Sequence, residues 1–244
     1  MTKRLSLILI LILALAVSAG LVSAQEELVA GTPLTGEISN QTFELEYSYS
    51  GTEGEVIVIE LRPVEEFGDL DYPEILLLDS ENTVINSTVD HFDYGEATLI
   101  AKMPATGTYT VLATRQDGRS GDSVGQFTIQ VIEPTLLSED VTSNSITNDA
   151  GSQYYLANFD KSYSLIYLKK AGDFGPEVVA GALNETEGQI NDEEFVLSGE
   201  RMSLGSIGIF DAGVDYIVIV RAPLFSFYFD AVSADYELNL YPLE

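Results

Sequence analysis

The strongest constraint on the fold is a pattern of alternating residues that occurs twice. The first half of the chain ends with two such runs, Gly107–Thr114 and Gln126–Val131, separated by a polar turn. The second half ends in the same way, with Gly213–Val220 and Tyr236–Leu240. Alternation of apolar and polar residues with a period of two is typical of half-buried β-strands. Because the pattern returns, the chain is predicted to be a tandem of two β domains.

Short strands are predicted along the rest of both halves, and helical periodicity is nearly absent. An offset of 108 residues relates Ile38 to Ile146 within similar segments. Many short strands with regularly spaced turns indicate an all-β fold of two tandem antiparallel β-sandwich domains, jelly-roll or immunoglobulin-like. Pro134 stops the closing strand of the first half, so the domains are predicted at 25–134 and 135–244. The other predicted strands are Phe43–Tyr49, Glu55–Leu61, Ile75–Leu78, Ala97–Met103, Tyr154–Asn158, Ser162–Leu168, Phe195–Leu197 and Leu204–Phe210.

The first 24 residues are predicted to be an export signal. Lys3 and Arg4 precede the apolar run Leu5–Val17, and Val22-Ser23-Ala24 fits the small-residue rule for cleavage before Gln25. An uncleaved membrane anchor is the alternative, since Leu5–Ala24 is nearly long enough to span a bilayer. The predicted location is therefore secreted, periplasmic or cell-surface, with no stable membrane insertion after cleavage.

Charge and cysteine content narrow the possible partners. The net charge is −28 for the whole chain and falls by two to −30 once Lys3 and Arg4 are removed. A phosphate backbone would be repelled, so nucleic acid is excluded as a partner. With no Cys, the chain has neither a disulfide framework nor a lipoprotein anchor. Salt tolerance, divalent cations or a basic partner remain as explanations of the acidity.

Several segments together resemble the bacterial pre-peptidase C-terminal (PPC) domain, a secreted β-sandwich often attached to extracellular proteases. The resemblance is carried by Gly31–Ile38, Asp69–Asp79 and Ala105–Val111, spans nearly all of Leu28–Val131, and is weaker over Leu136–Leu243. It implies non-catalytic modules with roles in surface or substrate attachment, secretion or protease maturation. No peptidase accompanies the sandwiches in this sequence.

Gly121–Gly125 matches the G-x-S-x-G motif of serine hydrolases, with Ser123 as the candidate nucleophile. That motif requires a strand before it and a helix after it, together with a general base. Here it lies in a Gly-rich turn between two strands, and His91, the single histidine, belongs to a separate loop. Serine hydrolase activity through Ser123 is therefore the less favoured alternative, and no catalytic or cofactor-binding residue is assigned.

Calcium is a second possibility, because hard cations prefer oxygen ligands from flexible loops. Acidic residues cluster in the predicted loops, but no EF-hand spacing is present, so no metal ligand is assigned. The acidic loop residues are Glu65, Glu66, Asp69, Asp71, Asp79, Asp90 and Asp93.

Two further features bear on partners. Leu224–Phe229 is aromatic where the first half has a polar turn. These residues either pack into the core or the domain junction, or form an exposed apolar patch suited to binding a partner. Asn40, Asn86 and Asn184 begin N-x-[ST] sequons, which chance explains adequately.

The sequence therefore predicts an exported, non-catalytic protein that acts in extracellular binding, attachment or display. Its partner would be an extracellular protein or a polysaccharide surface. An accessory subunit, inhibitor or chaperone of a secreted complex is the alternative from another class.

Overall fold

The computed structural model describes residues 25–64, 70–88, 96–147, 151–172, 176–183, 195–197, 204–222 and 233–243. These residues form eighteen strands and one short 3-10 turn, Gly118–Ser120. No helix in these ranges is long and apolar enough to cross a bilayer. The strands are β1 Glu26–Glu27, β2 Leu34–Ile38, β3 Glu44–Gly51, β4 Val56–Pro63, β5 Pro73–Leu78, β6 Val84–Ser87, β7 Ala97–Lys102, β8 Gly107–Arg115, β9 Gly125–Ile132, β10 Thr135–Leu136, β11 Thr142–Thr147, β12 Gln153–Ala157, β13 Tyr163–Gly172, β14 Glu177–Ala182, β15 Phe195–Leu197, β16 Leu204–Phe210, β17 Tyr216–Arg221 and β18 Ser233–Pro242.

The first nine strands form a sandwich of two sheets. The five-stranded sheet has the order β1-β3-β8-β5-β6, and the four-stranded sheet has the order β2-β9-β4-β7. Alternate residues of both sheets point inward, as the period of two requires. Tyr109 and Val111 of β8 thus share one buried core with Phe127 and Ile129 of β9.

The second sandwich repeats this topology strand for strand. Its sheets have the orders β10-β12-β17-β14-β15 and β11-β18-β13-β16, so every strand number is nine higher than its counterpart. Tyr167, Tyr236 and Phe210 are among the large side chains buried in its core. The short edge strands β1 and β10 pair in parallel with β3 and β12, so the sheets are antiparallel except at one edge.

The two sandwiches pack against each other through sheet faces. The outer face of the first four-stranded sheet contributes Val56, Val58 and Ile100, and the outer face of the second five-stranded sheet contributes Ile217 and Ile219, among others. These side chains form a third buried apolar cluster. Because burial of apolar surface is the main driving force of association, this cluster joins the sandwiches closely.

The predicted strands are confirmed in both halves. The sequence assigned no strand to β1, β2, β6, β10, β11 or β14. A polar turn between two alternating runs is typical of a hairpin, but the turn from Arg115 to Gly125 joins β8 and β9 of different sheets. That turn is an arch across the sandwich, because the inward side chains of its two strands face each other over the core.

Candidate functional site

A cavity of about 360 Å³ opens at one end of the first sandwich. Its walls come from the end of β2 and the turn after it, the end of β4, Leu70, and the start of β9. Of its lining residues, Ile38 and Leu70 are buried, whereas Val64 is 56% exposed. The residues that line it are Glu37, Ile38, Ser39, Asn40, Pro63, Val64, Leu70, Val124, Gly125 and Gln126.

Two polar side chains of this cavity are free to bind. Glu37 and Gln126 are direct partners across β2 and β9, and both are exposed. The backbone carbonyl of Gln126 accepts a hydrogen bond from the Val64 amide at 2.9 Å. Within the described ranges neither side chain has a hydrogen bond or an ion pair, so a carboxylate and a carboxamide stand side by side and unused. Neither residue stands out in the sequence, since an acid on a strand of so acidic a chain carries no signal.

The arch beside the cavity is held by Arg115, which is 1% exposed. Its Nε donates to the Gly118 carbonyl at 2.9 Å, and its Nη1 donates to the Ser123 carbonyl at 2.7 Å and to Asn40 Oδ1 at 3.1 Å. One guanidinium thus fixes the arch and the turn after β2. Arg115 itself does not line the cavity.

The candidate nucleophile Ser123 lies in this arch, between the 3-10 turn and β9, and no helix follows it. Its hydroxyl donates to the Asp71 carbonyl at 2.8 Å. The hydroxyl therefore donates its hydrogen bond to a neutral backbone oxygen rather than to a general base. His91, the proposed base, lies outside the described residues.

A buried polar cluster joins the two sandwiches. The Glu60 carboxylate, 3% exposed, accepts from the Tyr154 hydroxyl at 2.5 Å, Arg62 Nη2 at 3.0 Å and Gln130 Nε2 at 3.0 Å. Burial, and then the charge of Glu60, raise the pKa of Tyr154 well above its ordinary value, so this phenol stays protonated. Glu60 is the only acid in the apolar run Val56–Leu61, which is the signal that could have marked it.

A second polar contact spans the same junction. Lys102 Nζ lies 2.6 Å from Asp215 Oδ2. Burial alone would raise the pKa of Asp215, but hydrogen bonds from Asn158 and Lys102, together with the charge of Lys102, outweigh it and hold that pKa below its ordinary value. Asp215 is therefore ionised at neutral pH.

Five of the seven acidic loop residues considered for calcium lie in segments that the structure does not describe. Glu65, Glu66, Asp69, Asp90 and Asp93 lie outside the described residues. Asp79 Oδ1 accepts from the amides of Glu81 and Thr83, both at 2.8 Å, so it shapes the turn before β6. Among the residues described, no group of three or more acidic or histidine side chains is placed to hold a metal ion.

The remaining sequence features have mixed outcomes. Asn86 is 5% exposed and donates through Nδ2 to the Ile100 carbonyl at 2.8 Å, so its sequon is inaccessible to a glycosyl transferase in the folded protein. Asn184, residues 1–24 and the aromatic segment Leu224–Phe229 fall outside the described ranges.

Comparisons with known proteins give only distant likenesses. No model of a known protein family matches the chain, and no curated protein matches it. Among solved structures, it is similar to the pre-peptidase C-terminal domain of collagenase from Bacillus anthracis, at 14% identity and a TM-score of 0.34, over 44% of this chain and 93% of that one. It is also similar to the CBM22-1–CBM22-2 tandem domain of Xyn10C from Paenibacillus barcinonensis, at 8% identity and a TM-score of 0.25, over 87% of this chain and 92% of that one. The CUB1-EGF-CUB2 domains of rat MASP-1 match at 6% identity and a TM-score of 0.23, over 87% and 99%. At these TM-scores the likenesses carry no inference about function.

Proposed function

We propose that this chain is an exported, non-catalytic protein that acts in extracellular binding or attachment. Residues 1–24 are the cleaved signal, and two PPC-like sandwich domains follow at 25–134 and 135–244. The break between β9 and β10 around Pro134, and the matching strand orders on either side of it, support this division.

One observation carries the non-catalytic part of the proposal. The hydroxyl of Ser123 donates to the Asp71 carbonyl, within an arch that Arg115 ties to its neighbours. An activated nucleophile needs a base to accept its proton and an exposed position beside an oxyanion hole. The G-x-S-x-G match instead serves the geometry of a connection between two sheets.

The binding part of the proposal rests on the cavity beside that arch. Small-molecule and side-chain sites are typically concave, largely apolar and furnished with a few free polar groups. The apolar side chains of Pro63, Val64 and Val124 and the free side chains of Glu37 and Gln126 meet that description.

Export and cleavage are tested by producing the full chain in a bacterial host and sequencing the N-terminus of the protein recovered outside the cytoplasm. We expect Gln25 as the first residue. Retention of this protein on isolated envelope or extracellular matrix, unchanged in Ser123→Ala, is the expected behaviour of a binding module. Recovery only from the cytoplasm would overturn the proposal.

Catalysis is tested with a fluorophosphonate probe, which labels activated serines covalently. We expect no labelling of the wild-type protein. Labelling that disappears in Ser123→Ala but persists in Ser120→Ala would establish a serine hydrolase instead.

A further inference from the structure

The charge of the cavity at the end of the first sandwich points to one kind of occupant. Glu37 is the only charged residue among its described lining residues, and its carboxylate has no partner there. The whole chain carries a net charge of −28, which concentrates cations near its surface. Arg115, which does not line the cavity, directs its donors at three oxygens, and Arg62, next to Pro63, is paired with Glu60 and Glu96.

The walls of the cavity favour an aliphatic stem. Among the lining residues, Pro63, Val64 and Val124 supply branched or ring carbons beside the buried Ile38 and Leu70, and no aromatic ring lines the described part of the cavity. Sugar rings are commonly held by stacking on aromatic side chains, which present a large flat apolar face. Lysine and arginine instead bury an alkyl stem and keep the charged head at a polar rim.

We propose that this cavity binds a lysine or arginine side chain of a basic extracellular polypeptide. The alkyl stem lies against Val64 and Val124. The cationic head is held by the Glu37 carboxylate and the Gln126 carboxamide oxygen, which stand side by side across β2 and β9. This assignment rests on the proposed binding function and names its partner class.

The arch gives the site a fixed rim. The Arg115 hydrogen bonds tie the Ser123 carbonyl to Asn40, so the loops on two sides of the cavity cannot separate independently. A cavity shaped before binding costs less conformational entropy when it is filled.

The experiment measures binding of capped, fluorescently labelled tetra-arginine to the protein from Gln25 to Glu244, in about 0.15 M salt to screen diffuse attraction. Glu37→Gln removes the charge at the site, and Val64→Trp fills the cavity without changing charge. Glu46→Gln is the matched control, because it removes another exposed carboxylate from the other sheet of the same sandwich. We expect Glu37→Gln and Val64→Trp each to weaken binding by about fivefold, and Glu46→Gln to leave it nearly unchanged.

Equal losses in Glu37→Gln and Glu46→Gln would show diffuse electrostatic attraction and overturn the assignment, as would an unaltered affinity in Val64→Trp. Chitopentaose serves as a neutral second probe, and binding of this sugar that depends on Glu37 would replace the basic peptide by a polysaccharide. Absence of tetra-arginine binding by a protein that is still exported and retained outside the cell would refute this inference alone. Thermal unfolding of each variant confirms that it is folded.

Discussion

The Glu60 carboxylate is buried where the two sandwiches meet. A buried charge is costly unless hydrogen bonds satisfy it, and here donors from Arg62, Gln130 and Tyr154 do so from both sandwiches. Because the donors come from both sandwiches, the Glu60 carboxylate is fully satisfied only when the two sandwiches are correctly arranged. It specifies how the apolar faces fit together, which apolar contacts alone would leave less defined.

Gly151 provides a residue-scale prediction about that cluster. Its φ is +76°, and a Cβ there would lie 2.2 Å from Arg62 Nη1. Gly213 has a similar φ of +74° but nothing within 4 Å, so it is a matched control for backbone strain alone. We expect Gly213→Ala to cost about 1 kcal/mol and Gly151→Ala to cost about 1 kcal/mol more, since Arg62 must give up its hydrogen bond to Glu60. Urea unfolding measures both, and equal losses would mean that Arg62 moves aside freely.

At the scale of elements, the arch between β8 and β9 depends on one side chain. Arg115→Met leaves three oxygens without their donor while keeping an apolar stem of similar length. We expect a loss of about 3 kcal/mol in the free energy of unfolding, measured by urea denaturation. Arg119→Met, an exposed change in the same arch, should alter stability by less than about 0.5 kcal/mol. A small effect of Arg115→Met would contradict the role given to this guanidinium.

Two tyrosines at equivalent positions in the two sandwiches have different hydrogen-bonding environments. The pairing of β1 with β3 and of β10 with β12 makes Tyr47 the counterpart of Tyr155. The Tyr155 hydroxyl lies 2.6 Å from the Tyr236 hydroxyl and accepts from Asn144 Nδ2. The Tyr47 hydroxyl is buried without a hydrogen-bond partner among the described residues. Burial, and then the charge of Glu26, raise the pKa of Tyr47 to about 12.

The same substitution should therefore have opposite effects at the two positions. Tyr47→Phe removes an unsatisfied hydroxyl and is expected to be neutral or to stabilise by up to about 1 kcal/mol. Tyr155→Phe leaves Tyr236 and Asn144 with one partner fewer and is expected to destabilise by about 1–2 kcal/mol. Thermal and urea unfolding of the pair decide the matter, and a loss of stability in Tyr47→Phe would reveal a missed partner.

Strand positions were predictable from the sequence because a strand that is buried on one face alternates apolar and polar residues. Phe127, Ile129 and Val131 alternate with polar residues, and β9 contains all three. Sheet membership was not predictable in the same way, since two strands joined by a polar turn can form a hairpin or an arch. The cavity was also out of reach, because Glu37 and Gln126 become neighbours only through the pairing of β2 with β9, strands far apart in the chain.

At the scale of the whole molecule, the ion pair of Lys102 and Asp215 couples the junction to pH. The pKa of folded Asp215 lies below its ordinary value, so its contribution is present above about pH 4 and is lost as pH falls through the folded pKa. We expect Lys102→Met to lower the free energy of unfolding by about 1 kcal/mol at pH 7, with a difference from wild type that shrinks below pH 4.

Urea denaturation at pH 7, 5, 4 and 3 tests this dependence. Lys161→Met, at an exposed position, is the control for the loss of one positive charge from so acidic a chain. A difference that stays constant down to pH 3 would show that Asp215 does not titrate in that window.

The packing of one sandwich on the other also gives the chain a direction. Tyr154 and Ile217, which are buried at the junction, occupy the positions that Glu46 and Thr110 hold in the first sandwich. With the two copies in reverse order, a carboxylate and a hydroxyl would enter the junction, while Tyr154 and Ile217, together with Val58 and Ile100, faced water. The copies are therefore not interchangeable. A third sandwich could extend the stack only if the outer face of its five-stranded sheet were apolar, as it is in the second sandwich.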